Sequence, residues 1–501
     1  MRHTATLFLV TFLFPAFAAA QSPTLVQHVS CPNGRNVGGA SSPTPDYICP
    51  LPEPSQAGNA ILVGIISTAG ATLTLSDDKG NTWNQIDSAT DSGSGEIIAI
   101  YLAVNVTAGT RMIKLHRGTP GTYGVAMSAS EYYNVNALDG SAHHCTVGSA
   151  STSVSAGNIT PSVSGDLVWQ WSASISGGVP NSTTSFTVGS QSNIAWQFLG
   201  TDIYDGDAVQ AGVYGSTATL NPTLTSGTSL AFDSCAMAVK AASAGNPPTQ
   251  SFRIVHMLHQ QMPMSAANPW KAQYASSGNL IVASYVSGGS FITGISSTPS
   301  NTWTSTGTAV GNPATTTGSQ IYYAANVTPS NSMSISFTRD TNTSDGTFMM
   351  YDFVGAASAP FDKDSGGQTA DQTSIVTSLT TCSPGGPLNC SFSPTGVIQE
   401  VVLANTGWQF CTGFNVTSPG GGLFDAATDT GVSIDGPEPA DQNNGWMHYY
   451  TNSASNITVT WSMGCGTSFE ANWAGRVAAF KSAGSISQLP APPTQLKAVV
   501  N

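Results

Sequence analysis

A chain of 501 residues is longer than one hydrophobic core fills, and at roughly 100 to 200 residues per domain it predicts several domains. Only 8% of the residues are charged against 40% apolar, which excludes a disordered chain. The net charge of -13 excludes nucleic acid and anionic membrane surfaces as principal partners, since both select clustered Lys and Arg.

In chain order, residues 1–20 read as a secretory signal. Arg2 and His3 precede the apolar run LFLVTFLFPAFAAA, and its small closing residues predict cleavage after Ala20. No later stretch reaches the roughly 18 apolar residues of a membrane span, so a secreted product, extracellular or at the cell surface, is expected. Strands follow at 24–30, 60–67, 72–75, 97–104, 112–115 and 125–132, each bounded by Gly, Ser, Asn or Pro. Further strands are expected at 166–174, 193–199, 208–214 and 231–241. No stretch of eleven residues carries apolar positions at helical spacing, so no helix beyond a turn or two is expected. Many short strands at regular spacing predict an all-β, jelly-roll-like sandwich.

The pattern then repeats. GNAILVGI, GNTW and IYLAVNVT in the first half answer GNLIVASY, SNTW and IYYAANVT in the second. Trp303 minus Trp83 is 220, while Asn326 minus Asn105 and Asp352 minus Glu131 are both 221. So long a period predicts two copies of one domain, not a solenoid with its repeats of roughly 20 to 50 residues. The expected organisation is a β-sandwich over 21–244, a Pro-rich linker at 245–249, a second β-sandwich over 250–483 and a tail over 484–501. CAMAVKAA and GRVAAFKSA close the two copies, each with a Lys near its exit, Lys240 and Lys481. The GNTW turn is explained by folding, with Trp83 and Trp303 reaching back over an open sandwich end.

Eight cysteines, all beyond the signal and none in a CxxC pair, fit an oxidising compartment. Nearness and element order favour Cys31 with Cys49, Cys382 with Cys390, Cys145 with Cys235, and Cys411 with Cys465.

The order GNxxVxx, GNTW, YxAxNV, a strand ending E-Y-x-x-V and a closing xAxxKAA resembles the β-sandwich repeats, jelly-roll or immunoglobulin-like, of large secreted bacterial surface proteins. The matched positions are turn and core residues. The resemblance implies an extracellular, adhesive or glycan-binding context and transfers no catalytic residue.

Chemistry is sparse. GxSxG, HExxH and GxxxxGK[ST] are missing, and Gln21 as first mature residue disfavours an amino-terminal copper brace. His28 and His256 occupy matching positions in the first strand of each copy, with His259, His143 and His144 beside them, but no spacing completes a zinc or copper set. Asp202, Asp205 and Asp207 in DIYDGD, Asp77 with Asp78, and Asp362 with Asp364 are the acidic clusters. No cofactor is expected, and structural calcium at Asp202, Asp205 and Asp207 is the one metal candidate. A glycosidase would need two carboxylates roughly 5 to 9.5 Å apart. Glu131 and Asp352 recur, with Asp139 and Asp362 as the nearest second acids.

Aromatic residues make the expected ligand surface. Trp169 and Trp171 alternate on one strand face, and Trp446, Tyr449 and Tyr450 cluster beside His448, where rings can stack on sugars. The expected function is therefore a secreted, non-enzymatic binding or adhesion protein whose partner is an extracellular polysaccharide or surface glycan. A carbohydrate-active hydrolase using a carboxylate pair, and a structural component of a surface layer or filament, are the alternatives.

Overall fold

Runs rich in Val, Ile, Ala and Tyr, cut by Gly, Asn and Pro turns, can bury side chains on both faces of a pleated sheet, as Asp166–Ala173 and Leu280–Ser287 do. The computed structural model describes residues 21–31, 46–68, 72–118, 125–173, 185–201, 207–262, 269–276, 278–287, 290–312, 317–340, 346–364, 368–372, 378–380, 398–409, 411–417, 423–428, 442–451, 460–465 and 471–485. Among the described residues there is no helix, and the fold is all-β. No helix there is long and apolar enough to cross a membrane.

A central sheet of eleven strands organises the molecule. From one edge it runs Asn84–Asp91, Glu96–Ala103, Ala60–Thr68, Ala126–Tyr133 and Thr24–Ser30. It continues through Arg253–Met262, Gly346–Val354, Leu280–Ser287 and Thr317–Ala325 to Trp303–Ser305, with Val310–Asn312 also on the Thr317–Ala325 strand. Thr24–Ser30 and Arg253–Met262 meet in parallel at the middle, with His28 beside His256, Val29 beside Met257 and Ser30 beside Leu258. Two stretches over 220 residues apart thus form one seam, and the sheet passes through it without a break.

The covering sheets exchange sides across this seam. On one face, Val29, Ile61, Val63 and Ile65 pack against Tyr47, Cys49, Ile113 and Leu115 of a three-stranded sheet, Asp46–Pro50, Met112–Arg117 and Leu73–Asp77. Met257, Val282, Met349 and Tyr351 on that same face pack against Val401, Leu403, Trp446, Tyr450 and Phe480, whose sheet is built on Ile398–Gln409, Gln442–Thr451 and Ala471–Ser485.

On the opposite face the assignments reverse. Leu62, Ile66 and Ile100 meet Trp169, Trp171, Val209 and Met237 of the five-stranded sheet containing Asp166–Ala173, Asp207–Tyr214 and Asp233–Ala241. Leu258, Ile281, Ala283 and Tyr285 meet Trp270, Tyr274, Met333, Ile335 and Phe337 of the three-stranded sheet Trp270–Ser276, Ser330–Arg339 and Ile292–Thr298. Inside its edge strands the central sheet is therefore buried on both faces, which explains the near-continuous apolar runs there.

The GNTW turn does what its residues suggest. Trp83 and Trp303 are partly buried against neighbouring cores, and each indole N–H donates six residues back, to Asp77 Oδ2 at 2.8 Å and to Ser297 Oγ at 3.4 Å. Asn105 and Asn326 both sit in the left-handed region, at φ 53° and 54°, which Asn tolerates better than other non-Gly residues. Asn246 of the 245–249 segment is exposed but tethered: its N–H donates to Asn59 Oδ1 and its Nδ2 to the Ala57 carbonyl.

Two disulfides close loops among the described residues, Cys31–Cys49 and Cys145–Cys235. Cys411 and Cys465 are register partners on paired strands, and Cys382 and Cys390 lie outside the described residues.

Candidate functional site

The expected aromatic surface is core. Trp169, Trp171 and Trp446 are each 0% exposed and Tyr450 is 1% exposed. Trp169 donates its indole N–H to Ser130 Oγ at 3.1 Å, and Trp446 donates to the Ser284 carbonyl at 3.2 Å. A ring with no open face cannot stack on a sugar, so these four residues are corrected from ligand contacts to packing. Each buries an area of about 150 to 250 Å², or roughly 4 to 6 kcal/mol of apolar transfer. Tyr449 is a strand residue opposite Val402, and its side chain lies outside the described set.

Tyr450 and His448 instead clamp the seam. The Tyr450 hydroxyl donates to Glu53 Oε1, which also accepts the Ile254 N–H at 2.8 Å, while His448 Nε2 meets the Pro52 carbonyl at 2.8 Å. Burial pushes Glu53 up to about 7, against the opposing pull of those hydrogen bonds. Gln27 extends the network, accepting from the Glu53 N–H at 2.7 Å and donating to Glu131 Oε2 at 2.6 Å.

Glu131 is a buried turn clamp. Its Oε1 accepts from the Gln56 N–H at 2.8 Å and from Asn59 Nδ2 at 2.6 Å. Burial raises its carboxyl, while the Gln27, Gln56 and Asn59 hydrogen bonds oppose the rise. Asp352 does the corresponding work, taking His256 Nδ1 at 3.0 Å and Ser276 Oγ at 3.3 Å. Ladder register corrects the pairing of histidines: Gln27 stands opposite Glu131 as His256 stands opposite Asp352, whereas His28 stands opposite Ser130. The residue equivalent to His256 is thus Gln27, and the two imidazoles are neighbours across the seam with ring centroids 6.2 Å apart. His143 pairs with Asp87 at 2.9 Å and His144 with the Ala156 carbonyl at 2.9 Å, well away from the seam contacts.

The acidic clusters act locally. Asp77 accepts the Lys79 and Asn81 N–H groups, and Asp78 accepts those of Arg111 and Met112. Asp207 is buried and accepts from the Ser128 hydroxyl, while Asp202 and Asp205 lie outside the described residues. No group of three or more His, Cys, Asp or Glu side chains is arranged to hold a metal among the described residues.

One ionisable constellation recurs. Asp139, Asp166 and Lys240 meet at the end of the sheet containing Asp166–Ala173, with Lys240 Nζ 3.5 Å from Asp139 Oδ1. The Ser162 N–H and hydroxyl both donate to Asp139. Burial pushes Asp139 up, but the Ser162 hydrogen bonds outweigh it and hold the carboxyl below the usual range. Asp166 is pushed up to about 6 by burial, with its Asp139 neighbour adding to the rise. In the second half Lys481 Nζ lies 3.2 Å from Asp362 Oδ1, and Glu400 stands directly across the ladder from Lys481. Lys240, Lys481, Asp139 and Asp362 are visible as matched positions in the sequence. Asp166 and Glu400 are not, because each is a single acid at a strand start with no local pattern around it.

The solvent-facing candidate is a hydroxyl surface that pattern reading missed. On the outer sheet Ser151–Ser155, Thr223–Leu230 and Phe186–Thr187, the exposed residues Ser153, Thr225 and Thr187 form one cross-strand row, while Val154, Leu224 and Phe186 face inward. On the sheet containing Trp270–Ser276, Ser336 pairs with Ser296 and Ser334 with Thr298, again with hydroxyls outward and Met333, Ile335 and Phe337 inward. Gln273 ties the two sheets together: its Oε1 accepts the Phe186 N–H at 2.7 Å and its Nε2 donates to the Phe186 carbonyl at 3.2 Å. The two sheets that carry hydroxyl rows, one from each half of the chain, therefore meet at Gln273 and Phe186. Each row presents donors and acceptors at the strand spacing of about 4.8 Å.

The chain matches no protein-family model and no curated protein.

Proposed function

We propose that the chain is a secreted, non-enzymatic binding or adhesion protein that recognises an extracellular glycan or another neutral, hydroxyl-rich surface polymer. The observation that carries this reading is the pair of hydroxyl rows, Ser153–Thr225–Thr187 and Ser336–Ser296, on two sheets joined by the Gln273–Phe186 hydrogen bonds. Rows of Ser and Thr offer reversible hydrogen bonds, each contributing on the order of 1 kcal/mol net, so affinity has to come from many weak contacts along a repeating ligand. The net charge of -13 disfavours polyanions and leaves neutral polymers as the fitting class. The signal-like leader and the disulfides support an oxidising, extracellular setting. A hydrolase would need two carboxylates facing a cleft, whereas Glu131 and Asp352 are 0% and 1% exposed and committed to turn contacts.

The test is retention of the full chain on a panel of neutral and charged polysaccharides. Retention on one or more neutral polymers, weakened by Thr225→Lys and by Ser296→Lys without loss of thermal stability, is expected. Failure to be retained on any polymer of the panel, or equal retention by both Lys variants, would count against the reading.

A further inference from the structure

His28 and His256 are register partners on the two parallel strands of the seam, so their side chains leave the same face of the central sheet. Their ring centroids lie 6.2 Å apart. Both imidazoles are buried, and each is held through Nδ1, His28 by the Ser130 hydroxyl at 2.9 Å and His256 by Asp352 Oδ2 at 3.0 Å. A carboxylate only accepts, so Asp352 keeps a proton on His256 Nδ1 and leaves the lone pair of the neutral ring on Nε2. Ser130 Oγ, which takes the Trp169 indole N–H, has a second lone pair for the His28 Nδ1–H. Neither Nε2 has a hydrogen-bond partner among the described residues, and both are buried. Two basic nitrogens, one from each half of the chain, thus stand on neighbouring strands with their tautomers set from behind, as metal-binding imidazoles are held. At Gly200 a Cβ would stand 3.0 Å from His28 Nε2, so a residue without a side chain leaves room beside that nitrogen.

The span between the rings selects the ion. A ring nitrogen lies about 1.1 Å from its centroid and a metal–imidazole bond is about 2 Å long, so two rings sharing one ion have centroids roughly 6.3 Å apart when the bonds are in line and roughly 5 Å apart at a tetrahedral angle. The observed 6.2 Å belongs to the in-line case. No third His, Cys, Asp or Glu side chain joins the pair among the described residues, which leaves zinc short of its tetrahedral four ligands. A cuprous ion accepts two nitrogen donors in near-linear geometry, and imidazole suits copper. Charge agrees, because one positive charge is balanced by the single Asp352 carboxylate, whereas a divalent ion would leave an excess charge buried. We propose that the seam binds one cuprous ion between His28 Nε2 and His256 Nε2. The site is complete only when the two seam strands are paired, so the bound ion favours the joined state by mass action. No electron is transferred, and binding is independent of any polymer on the hydroxyl rows.

The test is anaerobic titration of the full chain, disulfides intact, with copper(I) kept reduced by ascorbate and competed against a chromophoric cuprous chelator. One equivalent should bind, and X-ray absorption at the copper edge should show two nitrogen neighbours and no third ligand. His28→Gln and His256→Gln should each lose the site, and Asp352→Asn should weaken it by roughly 10- to 100-fold. The His143→Gln, His144→Gln double variant should bind as the wild type does, which separates the seam from the histidines near Asp87 and Ala156. The absorption spectrum is read on the wild-type chain, so the result does not depend on whether a substituted seam still folds. Failure of the wild-type chain to bind copper overturns the proposal and assigns both nitrogens to a buried water. Retention of the site in both His variants, or a copper shell of three or more ligands, overturns it as well.

Discussion

Gly64 lies in the middle of the Ala60–Thr68 strand, paired with Ile100 on one side and Ser128 on the other. A Cβ placed there would stand 2.3 Å from Trp171 Cδ2, 2.4 Å from Cγ and 2.8 Å from Cε3. The indole has little freedom to retreat, since Trp171 is held between Val209 and Cys235, and Cys235 is tied to Cys145. Gly64→Ala should therefore fall at the upper end of the overpacking range, about 3 kcal/mol, and Trp171→Ala should cost about 3 to 5 kcal/mol through the cavity it leaves. Combined, the new methyl enters the space the ring vacated. The double variant should be more stable than the sum of the single losses implies, by on the order of 1 to 3 kcal/mol. Equilibrium urea unfolding of the four proteins, disulfides intact, measures this coupling. Additivity within about 0.5 kcal/mol would refute the claim that the central sheet and the Asp166–Ala173 sheet interlock at this contact.

The disulfides should differ in weight: opening Cys145–Cys235, at a sequence separation of 90, is expected to cost about 4 to 5 kcal/mol against about 3 for Cys31–Cys49 at 18, as read by thermal melting of the paired Ser variants. Glu53 supplies a pH signature. Its carboxyl rises from 4.5 to about 7 on folding, so its contribution is fully present below pH 4.5 and is lost as pH rises through 7. Glu53→Gln should remove that fall, on the order of 3 kcal/mol, and flatten melting temperature against pH between 4.5 and 8. His28 acts in the opposite sense, because burial and the His256 neighbour hold its imidazole well below 6.5, and its contribution is lost as pH falls below that value. Glu131→Ala strands the Gln27, Gln56 and Asn59 donors and should cost about 3 to 6 kcal/mol in the same denaturation assay.

Much of the fold is written in local patterns. Thr24–Ser30 matches its expected bounds, and Ala60–Thr68 extends its own by one residue, because apolar runs between Gly and Asn turns have few other uses. Asn84–Asp91 and Thr223–Leu230 escaped notice, since edge and outer strands made of Ser, Thr and Asp resemble the turns around them. The function-bearing errors have a related origin. Alternation places Trp169 and Trp171 on one side of a strand, but it does not say whether that side meets solvent or another sheet, and here it meets the central sheet. The parallel seam was equally invisible, because no local signal links Thr24–Ser30 to a strand that begins at Arg253. Aligning His28 with His256 by identity conceals that Gln27 and His256 take like ladder positions, opposite Glu131 and Asp352.

A composite hydroxyl surface drawn from both halves exists only if the seam holds them as one body. Hydrogen–deuterium exchange of the full chain tests this most directly. Amides of Thr24–Ser30 and Arg253–Met262 should exchange as slowly as those of Ala60–Thr68 and Leu280–Ser287, which lie deep in the same sheet. Exchange at the seam as fast as at the edge strand Asn84–Asp91 would contradict the account.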